Sequence, residues 1–140
     1  MEKFNCYFLD IIKNKYMAFS GRASRSEYWY FALFYIIIAL VLAIIDASII
    51  NPLLGIHPVR ATGSTGILSI LFGMGLLLPS LAVAIRRLHD IGKSGWWILL
   101  AVIPLVNLIG ILVLVYFFIK DSQPGSNLYG PNPKEFPVTG

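Results

Sequence analysis

The sequence predicts an all-α membrane protein, with three transmembrane helices preceded by an amphipathic N-terminal helix and followed by a Pro/Gly/Asn-rich C-terminal tail. Three observations carry that prediction. Apolar types make up 57% of the 140 residues and charged types 13%, against roughly 45–50% and 25% in ordinary soluble domains. The charges are also unevenly placed. Asp46 is the only one between Tyr28 and Ile50, and there is none between Ala61 and Ile85 or between Trp96 and Ile119. Within these runs, residues 36–45 and 108–119 lack the polar stripe, at a period of about 3.6, that marks a helix on a water-facing surface. Each run is long enough to cross a hydrocarbon core of about 30 Å, which takes about 20 helical residues. In lipid the backbone must bond internally, so the runs are helices.

Taken in order, residues 1–140 form a single membrane domain. Residues 1–23 make an amphipathic interfacial helix and linker. Phe4, Tyr7, Phe8, Ile11, Ile12, Tyr16 and Phe19 fall on one face, with Glu2, Lys3, Asp10, Lys13 and Asn14 mostly on the other. Such a helix either lies in the headgroup plane or packs on the protein's own surface. The first span covers residues 24–50. Ser24 and Glu27 fit a capping box, in which the glutamate side chain reaches back to the cap N–H, and Tyr28, Trp29 and Tyr30 form an interfacial belt. Counted from Glu27, Asp46 lies about 28 Å along the helix, at the opposite interface, where anchoring or pairing is its expected role. Residues 51–65 are a loop holding His57 and Arg60. The second span covers 66–85, with Pro79 expected to kink it, and residues 86–95 are a basic loop. Ser94 caps the third span, 96–119, read as one tilted or kinked helix. A broken helix or re-entrant hairpin is the alternative, because Pro104, Asn107 and Gly110 sit near its middle. Residues 120–140 are a turn-rich tail.

Net charge is +4. Beside apolar spans it reads as topology and attraction to anionic headgroups rather than as nucleic-acid binding. Three spans place eight Lys and Arg on the side of the N-terminus and three on the other, so the N-terminus is expected in the cytoplasm and the C-terminus outside. Cys6 is the only cysteine, which excludes an intramolecular disulfide. The first twenty residues lack a signal peptide's pattern, and the first span is expected to act as its own insertion signal.

Three blocks carry a further signal: FSGRASRSEYW at 19–29, RRLHDIGKSGWW at 86–97, and Gly125-x-Asn127-x-Tyr129-Gly130-Pro131-Asn132-Pro133. In this order they resemble the signature blocks of the YhaH/YhaI-like bacterial inner-membrane family, domain of unknown function 805. The resemblance spans nearly the whole chain, with a somewhat extended 51–65 loop. It implies a bacterial inner-membrane location and supplies no activity or catalytic residue.

The candidate site is a polar network of Arg22, Arg25, Glu27, Arg86, Arg87, His89 and Asp90 at the cytoplasmic edge, with Asn127, Tyr129 and Gly130 as a separate tail motif. In a helix Arg86 and Arg87 stand four and three residues before Asp90, within pairing reach. Asp90 at a helix C-terminus is unfavourable and calls for a cation or for another helix's N-terminus. Guanidinium groups fit phosphate bidentately. The expected function is therefore a non-enzymatic module that interacts with membrane phospholipids, anionic ones among them, or with a membrane-protein partner or a second copy of the chain. A small oligomeric transporter or channel component is one alternative. A membrane hydrolase using His89 and Asp90 is another, weakened because a hydrolytic metal site needs about three protein ligands. Neither cofactor nor metal is expected, and no nucleophile elbow, phosphate loop or H-E-x-x-H occurs.

Overall fold

In the computed structural model, residues 1–56 and 66–135 are described, and they are helical with no strand. His57 and Arg60 lie outside the described residues. The chain divides into two compact units, Ala32–Leu77 and, together, Met1–Phe31 with Leu78–Gly140. Helix α1 runs in three registers, Glu2–Phe4, a π segment Asn5–Leu9, and Asp10–Asn14. Helix α2 runs Arg25–Leu53, longer than the expected 24–50, and α3 runs Ile67–Asp90. A 3-10 segment follows at Gly95–Ala101, and α4 runs Asn107–Ile119.

Helices α2 and α3 are long and apolar enough to cross a membrane. On α2 the side chains of Leu33, Ile36, Leu40, Val41 and Ile44 are about half exposed or more. A soluble core helix would hide such residues, whereas lipid accepts them. The basic block expected as a loop at 86–95 is helical as far as Asp90. Its end is set by Gly92, whose φ of +76° suits glycine at a helix C-terminus. There the N–H of Gly92 donates to His89 and that of Lys93 to Leu88.

The third apolar run corrects the reading of one helix over 96–119. The 3-10 segment has 7 residues, about 14 Å, and α4 has 13, about 20 Å. Neither reaches across about 30 Å of hydrocarbon. The two legs pack antiparallel: Trp97 meets Phe117 edge to face at 5.3 Å, and Gly110 lies against the backbone of Leu100, where a Cβ would collide. Pro104 explains the reversal, because its ring disfavours continuing a helix and constrains Ile103 before it. Leu105 takes a left-handed φ of 72° in the same turn. The hairpin returns the chain to the end of α3, where Ala84, Leu88, Leu114 and Phe118 form a core flanked by Tyr28 and Ile98.

The apolar face of α1 packs on the protein itself. Phe8 stacks on Phe31 at 5.3 Å and Tyr7 on Tyr30 at 5.2 Å, while Phe8 and Ile11 are buried.

In the other unit, Asp46 opens a π segment, Asp46–Ile50, and caps the next helix. Its carboxylate accepts from Leu68 N–H at 3.1 Å, Ser69 N–H at 2.8 Å and the Ser69 hydroxyl at 2.7 Å. The two N–H groups are orphan donors of the first turn of α3. Gly66 leaves room for that carboxylate, which a Cβ there would strike. Asp46→Ala is expected to lower the melting temperature of the protein in detergent, with Asp46→Asn closer to wild type. Unchanged melting of the alanine variant would show that the cap contributes nothing.

Candidate functional site

The site grows from the turn before α2, the end of α3 and the first residues after α4. Gly21 turns the chain at φ +88°, a conformation glycine adopts without a Cβ penalty. The turn lets Ala23 N–H donate to the carbonyl of Arg86 at 2.9 Å and carries Arg22 into the interior. Ser24 Oγ then accepts from Glu27 N–H at 3.2 Å, one half of the expected capping box. The carboxylate half takes other partners: Glu27 accepts from Arg86 Nη1 at 2.6 Å and from Lys15 Nζ at 3.4 Å. Cationic donors bind a carboxylate more strongly than a neutral backbone N–H does.

Asp90 is the node, and its side chain is fully buried. Oδ1 accepts from Arg22 Nε at 3.1 Å. Oδ2 accepts from Arg87 Nη1 and from the Ser122 hydroxyl, the latter at 2.6 Å. Its backbone carbonyl accepts from Arg22 Nη2 at 3.2 Å and from Gln123 N–H at 2.9 Å. The unfavourable end of α3 is thus offset by two guanidinium groups.

Arg22 uses its whole fork. Nη1 donates to the carbonyls of Gly125 at 2.7 Å and Gly130 at 3.3 Å, and Nη2 donates to Gln123 O as well as Asp90 O. With Nε on the carboxylate, five N–H groups meet five acceptors, the full capacity of arginine. Arg87 closes the end of α4 in the same way, donating to the carbonyls of Phe118 and Lys120, which have no partner within that helix.

His89 and Asp90 do not meet. The His89 ring stacks on Tyr129 at 3.9 Å, and its Nδ1 lies 3.0 Å from the carbonyl of Gly21. Asn127 Nδ2 donates to the His89 carbonyl at 2.9 Å, and Asn127 Oδ1 accepts from Tyr129 N–H at 2.9 Å. Arg25 stays half exposed, 3.5 Å from Asp121. Arg86 is buried, with Nε and Nη2 lacking a hydrogen-bond partner among the described residues.

All ten candidate residues therefore gather in one unit, and the two expected sites are one. The tail is not separate from the arginines: Arg22 and Arg87 hold it directly. Sequence reading missed Ser122, Gln123 and the carbonyls of Phe118, Lys120 and Gly125. Backbone acceptors carry no residue signature; the Gly-x-Asn turn pattern was the only signal.

These features define a helical membrane protein in which a buried guanidinium–carboxylate network ties the turn before α2 and the tail to the end of α3. The family described as "Protein of unknown function (DUF805)" matches residues 16–131, and the chain belongs to it. It is similar to Inner membrane protein YhaI of Escherichia coli (strain K12), 45% identical over 128 residues that cover 91% of this chain and 95% of that protein. It is also similar to Inner membrane protein YhaH of the same strain, 41% identical over 128 residues that cover 91% and 96%. No solved structure matches it significantly.

Removing one partner of a buried ion pair costs about 3–5 kcal/mol. Asp90→Ala is expected to destabilise the protein on that scale and to expose the tail to protease. Arg22→Lys is expected to resemble Arg22→Ala, since an ammonium has three donors and no planar fork. Wild-type protease resistance in Asp90→Ala would contradict the assignment.

At the surface, Asp121 is held below the usual carboxylate range by the Lys134 ammonium and by Ser122 N–H. A depressed carboxyl stabilises the fold above the unfolded value of about 3.9 and loses that contribution as pH falls through the lower folded value. A spin label at Leu128 is expected to gain mobility on acidification through that window, and Asp121→Asn to blunt the response. An identical response in the variant would show that the Asp121 pairs with Arg25 and Lys134 do not hold the tail.

Proposed function

We propose that the chain is a multi-pass protein of the bacterial inner membrane, with two spans, a re-entrant hairpin and both termini in the cytoplasm. It acts there as a non-enzymatic module that meets phospholipid or a membrane-protein partner. The observation that carries this reading is the commitment of the polar groups at the end of α3 to holding the tail. Arg22, Arg87 and Asp90 spend their polar atoms on one another and on tail backbone, and His89 faces Tyr129 and Gly21 rather than Asp90. A dyad for acid–base work needs its two groups within hydrogen-bond reach.

Charge supports the orientation. With the tail beside the end of α3, ten of the eleven Lys and Arg flank one face, and Arg60, between α2 and α3 in sequence, is the eleventh. The asymmetry is steeper than eight against three and favours that face in the cytoplasm. Contact with anionic lipid then falls to the cations the network leaves over. Arg25 is half exposed, and Lys13, Lys93 and Lys120 make no ion pair among the described residues.

A reporter fused to the C-terminus tests the topology. A fluorescent protein that folds only in the cytoplasm is expected to be bright there, and alkaline phosphatase, which needs the periplasm, to be inactive. The reverse pattern would overturn the orientation.

A further inference from the structure

Two open clefts flank the 3-10 leg of the hairpin. One, of about 350 Å³, is lined by Phe19, Ile85, His89, Ser94, Trp96 and Leu99 among others. The second, of about 340 Å³, shares Ser94, Trp96 and Leu99 and adds Trp97, Leu100 and Ile103. Both volumes lie in the range of about 300–1,000 Å³ typical of small-molecule sites. The walls are aliphatic and aromatic, and the second cleft reaches Ile103, beside the turn of the hairpin. The polar groups gather at the other end, at His89 and Ser94.

His89 and Ser94 have hydrogen-bonding capacity left, and Lys93, which lines neither cleft, stands beside them over Trp97 of the second. Ser94 Oγ accepts from Trp96 N–H at 3.4 Å, and its own O–H has no acceptor among the described residues. His89 Nδ1 faces a carbonyl, which can only accept, so Nδ1 carries the hydrogen and the neutral ring keeps an acceptor at Nε2. Lys93 Nζ rests over the rings of Trp97 at 5.4 Å and Phe117 at 5.7 Å and has no carboxylate partner among the described residues.

We propose that these clefts bind one glycerophospholipid. Its phosphate meets the Lys93 ammonium and the Ser94 hydroxyl, and an acyl chain lies along Leu99, Leu100 and Ile103. A hydroxyl or ammonium of its headgroup donates to His89 Nε2. The complementarity selects the ligand: a cation and a hydroxyl donor for phosphate, an acceptor for a headgroup donor, and an apolar track directed into the bilayer. Phosphatidylglycerol and phosphatidylethanolamine carry both features, whereas phosphatidylcholine has the phosphate and no headgroup donor. The inference rests on the reading above that this face lies against lipid, and it adds a defined seat and a headgroup preference.

Native mass spectrometry of the full-length protein in detergent, titrated with each of the three lipids bearing identical chains, tests it. One bound lipid is expected, with phosphatidylglycerol and phosphatidylethanolamine held about tenfold more tightly than phosphatidylcholine, the scale of one hydrogen bond to a charged or strongly polar group. Lys93→Gln is expected to weaken binding about tenfold, and Leu99→Trp, which puts an indole on the wall the two clefts share, to weaken it at least as much. Should Leu99→Trp fail to fold, Lys93→Gln and the headgroup series still decide. Equal retention by wild type and both variants would overturn the seat while leaving general lipid contact intact. Retention of no lipid by wild type would overturn both.

Discussion

A carboxylate at the end of a membrane helix, shut away from water, is the constraint on which the rest of this site depends. Asp90 stands where the helix dipole already disfavours negative charge, and burying an unpaired anion costs far more. Arg22 and Arg87 answer that cost from two directions, one from the turn before α2 and one from α3 itself. Once both guanidinium groups are drawn in, their remaining N–H groups also need acceptors. The tail supplies them as backbone carbonyls. The conformation of residues 118–130 therefore follows largely from the hydrogen-bonding demand of two arginines. Arginine is required because a planar fork can serve several fixed acceptors at once.

The hairpin is the geometric companion of this lock. A full third span would carry the tail about 30 Å away, beyond the reach of either guanidinium. By doubling back at Pro104, the chain returns the end of α4 to the level of Asp90. Packing along the legs, with Gly110 against the Leu100 backbone and Trp97 on Phe117, holds the reversal. The same hairpin leaves Trp96 and Leu99 on its outer flanks, so the segment that closes the polar network also shapes the apolar clefts.

Much of this was legible in the residues, and the remainder failed for identifiable reasons. The helical spans followed from charge-free length, and the i,i+3 spacing of Arg87 and Asp90 placed a pair that the fold makes. Asp46 was legible as a pairing group, but its partners were not, because a capped N–H belongs to whichever residue opens the next helix. The 96–119 run has the same composition as one helix or as two short legs. Pro104 and Gly110 marked the break, yet only tertiary packing chooses between the forms. The carbonyl acceptors were invisible for a more basic reason: every residue has one, so the sequence marks none of them. With the tail expected on the opposite side, Asn127, Tyr129 and Gly130 read as a separate motif, although in the fold they contact His89 and Arg22.

The most direct measurement of this account is the distance between the N-terminal segment and the tail in a bilayer. Spin labels at Met17 and Leu128, both exposed, can be placed in a Cys6→Ser background, reconstituted in nanodiscs, and read by pulsed electron resonance. A lock at Asp90 gives a narrow distribution well short of the bilayer's hydrocarbon thickness of about 30 Å, which broadens when Asp90→Ala is added. A separation of that thickness or more, or a broad distribution that Asp90→Ala leaves unchanged, would contradict it.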